Sequence, residues 1–291
     1  RVSDGAVERC NGLDQTGLYR VDLVNTGGEG DEGDRYWVAH NSEVEIGDHR
    51  DGLSGPAWTG VEVTEVSVAV RDSDEPRIDA ANRRFHVFLP TQEPSGCSLL
   101  VNGAFTTDLS RQHVQVTESP NNYNGYLVRQ AADTFVRLLL PHLLGQGGLR
   151  YVLRVLDRKG GETGMAASLL TDALSERLAT TPLIPADDAT LTLGDTAFPS
   201  PLLGDAGSVF AAMLKTSTRI SGRRFPDPDF CDGELTAVCT DYGATALTAA
   251  QSSSLFTFTG TRLLSFVPVP SWPESFAPHA HSVPPDFSAS E

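Results

Sequence analysis

The sequence predicts an α+β fold in which a mixed or antiparallel β-sheet packs against helices. Apolar and polar residues alternate in short runs over the first hundred residues, which is the period of strands with one buried face. From Tyr123 to Leu140 the apolar residues instead recur at every fourth position in two adjacent stripes, which is typical of a helix with a broad apolar face. A chain of 291 residues is long enough to bury a core between these layers.

The strands are predicted from runs of alternating or continuous apolar residues. They cover residues 18–24, 36–38, 61–70, 85–89 and 98–101. The spacing from Val63 to Val66 indicates a β-bulge, Pro90 is predicted to end its strand, and Asn102-Gly103 is predicted to form a turn. Residues 25–34 are rich in glycine but carry four acidic side chains, which would repel a phosphate. A solvated hairpin turn is therefore predicted there.

The helical pattern of Tyr123–Leu140 has Asn121 or Asn122 at its start and is predicted to end at Pro141 and Gly145. Further helices are predicted over residues 149–156, 164–178 and 206–214. Short extended pieces follow residue 181, and residues 223–231 form a Pro-rich loop. We expect residues 1–145 to form a β-rich domain with a closing helix and residues 146–250 a helical and mixed α/β extension. Residues 251–291 are Pro-rich and expected to be poorly ordered.

The composition limits the classes of function. The chain has 22 Lys and Arg against 38 Asp and Glu, a formal net charge of −16, which opposes phosphate and argues against direct nucleic-acid binding. Simple solubility and a salt-adapted or GC-rich prokaryotic source explain this charge equally well. No apolar run of about 18 residues predicts a membrane span. The first residue is Arg1, so we expect a fragment of a longer protein.

The cysteines argue against a zinc site. Cys10, Cys97, Cys231 and Cys239 form no C-x-x-C pair, and no histidine lies close to them in the sequence. Scattered buried thiols are expected instead, as in a cytoplasmic protein.

Residues 83–144 contain an ordered series of short motifs. The run RRFHVFLPT (83–91) is followed by SG (95–96), SLLVNGAF (98–105), DLSR (108–111) and YNGYL (123–127). This order resembles the sacsin family. Its members have an F-x-F-L-P strand, a T/S-G turn, a V-N-G-x-F strand end, a Ser/Asn-Arg segment, and W/Y-N-x-x-L before a helix.

The resemblance implies a fold and a mechanism. Sacsin-like proteins are built like the ninety-kilodalton heat-shock chaperone, with an N-terminal Bergerat (GHKL) ATP-binding domain before a middle, or transducer, domain of the ribosomal-protein-like βαβ type. In the chaperone the middle domain supplies an arginine to the ATP γ-phosphate. The resemblance implies this role for Arg111 here, with Ser110, Asn102 and Gly103 beside the nucleotide. The family often has a second arginine where this chain has Gln112, which leaves the register of the arginine open.

Each of these residues also has a simpler interpretation. Arg111 is equally well read as an ordinary surface arginine, and Asn102 and Gly103 as a turn. Asp108 either orients Arg111 or caps a local turn. The motifs of a Bergerat site are absent from the sequence, so ATP and magnesium are implied only for the full-length protein. The isolated chain is predicted not to hydrolyse ATP.

Three functions remain open. In the first, the chain is a transducer segment of a chaperone-type ATPase and relays the nucleotide state of the N-terminal ATP-binding domain to a protein client. In the second, it is a non-catalytic module whose acidic, β-rich face binds a protein partner. In the third, it belongs to a GHKL ATPase of nucleic-acid surveillance or phage defence. A cytoplasmic location is expected for each.

Overall fold

The computed structural model describes residues 15–23, 34–158, 164–186, 189–199, 223–231 and 233–247. In these residues the fold is α+β, with a mixed sheet and a few packed helices, as predicted. The predicted helix at 206–214, the tail at 251–291 and almost all of the Gly-rich turn lie outside the described residues, as does Cys10. The chain divides into two compact units, 1–249 and 250–291, and every described residue belongs to the first.

Six strands form the main sheet in the order β1-β2-β3-β6-β4-β5. They are β1 (Gly17–Leu23), β2 (Asp34–Glu45), β3 (Val63–Arg71), β4 (Arg84–Val87), β5 (Leu89–Pro94) and β6 (Leu100–Gly103). Neighbouring strands are antiparallel except β4 and β6, which run parallel. The predicted bulge is present at the level of Val66, but the extra residue belongs to β2, where the register shifts between Asn41 and Val44.

Two predicted strand ends are wrong. Pro90 lies inside β5, opposite His86, and is tolerated because β5 is an edge strand, where a missing N–H need not break the ladder. Asn102 and Gly103 form no turn, since they continue β6 and pair with β3. The turn in this region is at Phe88, which separates β4 from β5.

The helices follow the sheet in the chain. They are α1 (Tyr123–Thr134), a π-helical turn (Phe135–Leu139), α2 (Leu140–Leu156), α3 (Met165–Leu178) and α4 (Gly233–Asp241). Asn122 caps α1 as predicted, because its Oδ1 accepts a hydrogen bond from the Gly125 N–H at 2.7 Å. The position of α3 is confirmed, whereas α4 was not predicted.

The prediction that the long helix ends at Pro141 and Gly145 is wrong. The chain passes through the π-helical turn directly into α2, and Pro141 occupies the first turn of that helix. A π-helical turn widens the backbone ring, which accommodates the missing N–H of a proline nearby. Within α2 the backbone departs from helical geometry at Gly148, so the helix predicted at 149–156 is its second half. Helix α2 therefore continues across the domain boundary predicted at residue 145.

The helices cover one face of the sheet. Side chains on that face of the strands, such as Val66, Val68 and Val101, are fully buried beneath Leu127 and Phe135 of the helical layer. Each such side chain contributes about 1.5–3 kcal/mol by leaving water. None of the described α-helices packs on the other face of the sheet, and side chains on that face remain partly exposed.

Two small ladders complete the described fold. Strands β7 (Pro182–Ala186) and β8 (Ala189–Thr192) pair antiparallel, and β9 (Ala197–Phe198) and β10 (Thr245–Ala246) pair parallel. They confirm the extended pieces predicted after residue 181. No helix in the described ranges has the length and apolar character needed to cross a membrane.

Candidate functional site

Two of the predicted site residues, Ser110 and Arg111, lie beside the β5 edge of the sheet, where residues 106–115 form a hairpin-like loop that we call the edge loop. Thr107 and Val114 pair across the base of this loop. The Gln112 carbonyl accepts a hydrogen bond from the Gln92 N–H of β5 at 2.8 Å, which holds the loop against the sheet. The tip, residues 109–111, is exposed.

Asp108 organises the tip of the edge loop. The Ser110 hydroxyl donates to its Oδ2 at 2.7 Å, and the Gln112 N–H donates to its Oδ1 at 2.8 Å. The hydrogen bond from Ser110 is the largest cause of a lowered pKa of the Asp108 carboxyl, and the bond from the Gln112 N–H lowers it further. The Arg111 N–H also donates to the Asp108 carbonyl at 3.0 Å. Asp108 therefore caps the local turn, which is one of the two roles expected for it, and fixes the backbone that carries Arg111.

Arg111 presents its side chain to solvent from a strained backbone. Its φ is 58°, in the left-handed region that costs a non-glycine residue about 1–2 kcal/mol. Its guanidinium makes no hydrogen bond or ion pair with any described residue. The hydrogen bonds of Asp108 hold the backbone of Arg111 in this conformation, and the exposed side chain has no carboxylate partner among the described residues.

A second strained residue lies next to Arg111. Phe88 has φ 62° and is 76% exposed, and both residues line a cavity of about 550 Å³ between the β4–β5 turn and the edge loop. They are the two non-glycine residues with positive φ among the described residues. Leu89 and Leu109, also beside the turn and the tip, are largely exposed. Strained backbone persists where function requires it, which makes this edge the strongest candidate site of the described fold.

The structure brings only some of the predicted site residues together. Ser110 and Arg111 line the cavity directly. Asn102 supports the strained turn indirectly, because its Oδ1 accepts a hydrogen bond from the Phe88 N–H at 3.1 Å. Gly103 lies on the helix-covered face, buried against Leu127, and does not border the cavity.

Asn124 has a role at the site that sequence reasoning did not assign. Its side chain is fully buried at the start of α1. Its amide accepts from the Thr106 N–H at 2.8 Å and donates to the carbonyls of Thr106 and Gln115 at 2.7 and 2.9 Å. One side chain thereby ties both ends of the edge loop to the helix. The Y-N-G-Y-L motif contained Asn124, but nothing in the motif indicated these partners.

A contact between two side chains also fixes the edge loop to β5. His113 Nδ1 lies 3.1 Å from Glu93 Oε2, and the Glu93 side chain is almost completely buried. This contact and the Gln92–Gln112 hydrogen bond hold the loop from the sheet side, while Asn124 holds it from the helix side. The edge loop is therefore a supported element that positions its tip.

The packing of Gly103 gives a stability prediction. A methyl group there would lie 3.1 Å from Phe105 Cε2 and 3.3 Å from the Glu65 carbonyl oxygen, closer than ordinary contact. We expect Gly103→Ala to lower the free energy of unfolding by about 1–3 kcal/mol, measured by urea denaturation. Gly145→Ala is the matched control, because nothing lies within 4 Å of that position, and it is expected to be neutral or stabilising by about 1 kcal/mol. Equal effects at both sites would contradict the packing role.

The strain at Phe88 gives a second prediction. Asparagine tolerates the left-handed conformation better than phenylalanine, and the exposed Phe88 ring buries little area. We therefore expect Phe88→Asn to leave the melting temperature unchanged or a few degrees higher. Phe105→Asn, at a buried ring, is the contrasting variant and should lose about 3 kcal/mol or more. A loss of similar size for Phe88→Asn would show that this ring has a structural task.

No metal centre is evident in the described residues, which contain no group of three or more His, Cys, Asp or Glu side chains able to hold an ion. Cys97, Cys231 and Cys239 are buried, as expected from the sequence, and burial raises the pKa of Cys97 to about 11. No protein-family model, curated protein or solved structure matches this chain.

Proposed function

We propose that the chain is the transducer segment of a sacsin-like GHKL ATPase, in which Arg111 contacts the γ-phosphate of ATP bound by a separate N-terminal ATP-binding domain. The observation that carries this proposal is the Arg111 guanidinium, which has no partner in the described part of the chain and lies exposed at the tip of the supported edge loop. The motif order over residues 83–144 supports it independently, because the same arginine stands in the Ser/Asn-Arg segment of the sacsin pattern.

The chemistry suits a phosphate contact. A guanidinium has five N–H donors in a planar fork and remains charged at all relevant pH values, so it stabilises the charge that develops on the γ-phosphate oxygens during transfer. Such a contact is most effective when the donor is already in place, since no free energy is then lost in reorganisation. The hydrogen bonds that Asp108 accepts and those that Asn124 donates hold the backbone of the edge loop in place.

The apolar side chains around Arg111 support coverage of this edge by another domain. Phe88 and Leu89 line the same cavity and are exposed, as is Leu109 at the tip of the edge loop, and exposed apolar patches are typical of surfaces that a partner covers. Removing water from around Arg111 would strengthen its attraction to a phosphate. ATP and magnesium would be held by the ATP-binding domain, and this chain would contribute the arginine and the docking surface.

ATP turnover tests the proposal. The isolated chain is expected to show no turnover above a no-protein background, whereas the full-length protein, carrying an ATP-binding domain before residue 1, is expected to hydrolyse ATP. Turnover by the isolated chain would overturn the proposal that a separate domain binds the ATP. A full-length protein that has no Bergerat pocket would remove the ATPase function altogether.

The exposed apolar residues also favour the alternative of a non-catalytic interaction module. The two functions differ in which side chain matters. An interaction module would lose partner binding in Phe88→Asn but retain it in Arg111→Gly, because the binding would come from apolar burial. A transducer would depend on Arg111 for turnover even where the two domains remain associated.

A further inference from the structure

The face of the sheet opposite the described α-helices contains a groove of about 910 Å³, which we call the sheet groove. Its floor is apolar and is built from three neighbours in the strand register: Val38 of β2 lies opposite Ala69 of β3, which lies opposite Leu100 of β6. All three are only partly buried. A groove of this size falls within the range of small-molecule sites.

Two of the three arginines that line the sheet groove are neutralised. Arg71 forms an ion pair with Asp34 at 2.6 Å. Arg77 forms ion pairs with Asp157 at 3.1 Å and Glu234 at 2.7 Å. These guanidinium groups belong to the ion pairs that hold the rim of the groove together, and they leave little charge for a ligand.

Arg84 differs from both. Its Nε and Nη1 donate to the carbonyl oxygens of Ala81 and Thr91, and it makes no ion pair with any described residue. These two bonds orient the guanidinium and use two of its five N–H groups. Three donors and a full positive charge therefore remain at the edge of an apolar floor.

A second polar side chain of the sheet groove lies close to Arg84 on β4. His86 is two residues further along β4, and its Nε2 is buried without a hydrogen-bond partner among the described residues. Burial lowers the pKa of His86, so the ring is neutral at pH 7. A buried polar atom without a partner costs about 1–3 kcal/mol, so a ligand that supplies a partner for His86 would stabilise the groove.

We propose that the sheet groove binds a small organic acid, with its carboxylate on Arg84 and His86 and its apolar or aromatic body on Val38, Ala69 and Leu100. A carboxylate matches the planar donor array of a guanidinium. A monoanion is favoured over a phosphate ester because Asp79 also lines the groove and repels additional negative charge. This site is separate from the edge loop and does not depend on the function proposed for Arg111.

Isothermal titration of the full chain with 2-naphthoate tests this assignment. We expect saturable binding with a Kd below about 1 mM, and binding at least about tenfold weaker for 2-naphthylmethanol, which has the same body without the charge. This comparison uses the wild-type protein and is independent of any effect of substitution on folding. 2-Naphthyl phosphate is expected to bind more weakly than 2-naphthoate.

Matched variants locate the site. Arg84→Met should remove the preference for naphthoate over the alcohol, while Arg137→Met, at an exposed arginine of the helical layer, should leave it unchanged. His86→Phe gives the same test without altering the bonds that Arg84 makes, and is expected to weaken naphthoate several-fold. The proposal is overturned by no saturable binding, by equal affinity for the acid and the alcohol, by tighter binding of the phosphate, or by equal losses in Arg84→Met and Arg137→Met.

Discussion

Replacing Arg111 with glycine is expected to lower the ATP turnover of the full-length protein by about 10³-fold, the lower end of the range for an arginine that stabilises a transferring phosphoryl group. Glycine adopts the φ of 58° without strain and keeps the N–H that donates to Asp108. The edge loop should therefore keep its shape, and the loss would report the missing guanidinium alone. Steady-state phosphate release measures it.

Three companion variants separate charge from backbone effects. Arg111→Ala removes the same group but retains the strain, so its turnover should match that of Arg111→Gly while its melting temperature is lower. Arg111→Lys keeps a charge without the planar fork and should recover only part of the activity. Arg137→Ala removes an exposed arginine elsewhere and should have no effect. Loss of a phosphate-contacting arginine is expected to cost far more than about threefold in turnover. Turnover of Arg111→Gly within about threefold of wild type would therefore contradict the contact.

Replacing Asn124 with alanine is expected to lower the free energy of unfolding by about 3 kcal/mol. The amide satisfies the Thr106 N–H and the carbonyls of Thr106 and Gln115, all of which would lose this partner, and each unsatisfied buried group costs about 1–3 kcal/mol. Water entering the space would recover part of this. Because the same bonds hold both ends of the edge loop, we also expect faster amide exchange at Gln112 and Gln115.

Asn121→Ala is the matched control for Asn124→Ala. Asn121 is the exposed neighbour before the helix cap, and its replacement should change the free energy of unfolding by less than about 0.5 kcal/mol. Urea denaturation measures both variants, and hydrogen exchange follows the loop. Two results would exclude the proposed role of Asn124 in holding both ends of the edge loop. One is a loss of stability in Asn124→Ala no larger than in Asn121→Ala, and the other is amide exchange in the edge loop at the wild-type rate.

The local period of the sequence predicted most of the elements of the sheet and helices because one buried face imposes that period wherever the chain crosses the core. Its errors came where tertiary contacts compete with local signals. Asn102-Gly103 is a strong turn signal, yet Gly103 packs beneath Leu127 and pairing with β3 keeps the strand extended. The turn instead falls at Phe88, a residue that no turn rule favours, because Asn102 binds its N–H.

Prediction of the site divides in the same way. Motif order led to Arg111, and the exposure of that residue was expected. The hydrogen bonds from Asn124 to the edge loop were not predictable, because their partners lie 9 and 18 residues earlier in the chain and become neighbours only after α1 packs on the sheet. The sheet groove was also not predictable from the sequence, since Arg84 and His86 line a groove only because the described α-helices pack on the opposite face of the sheet.

The affinity of the full-length protein for ADP and for a non-hydrolysable ATP analogue, compared between wild type and Arg111→Gly, tests the γ-phosphate contact most directly. The contact predicts that Arg111→Gly weakens binding of the ATP analogue by about tenfold or more and leaves ADP binding unchanged, because only the analogue carries the γ-phosphate. Equal affinities of the two proteins for the analogue, or an equal loss for both nucleotides, would contradict it.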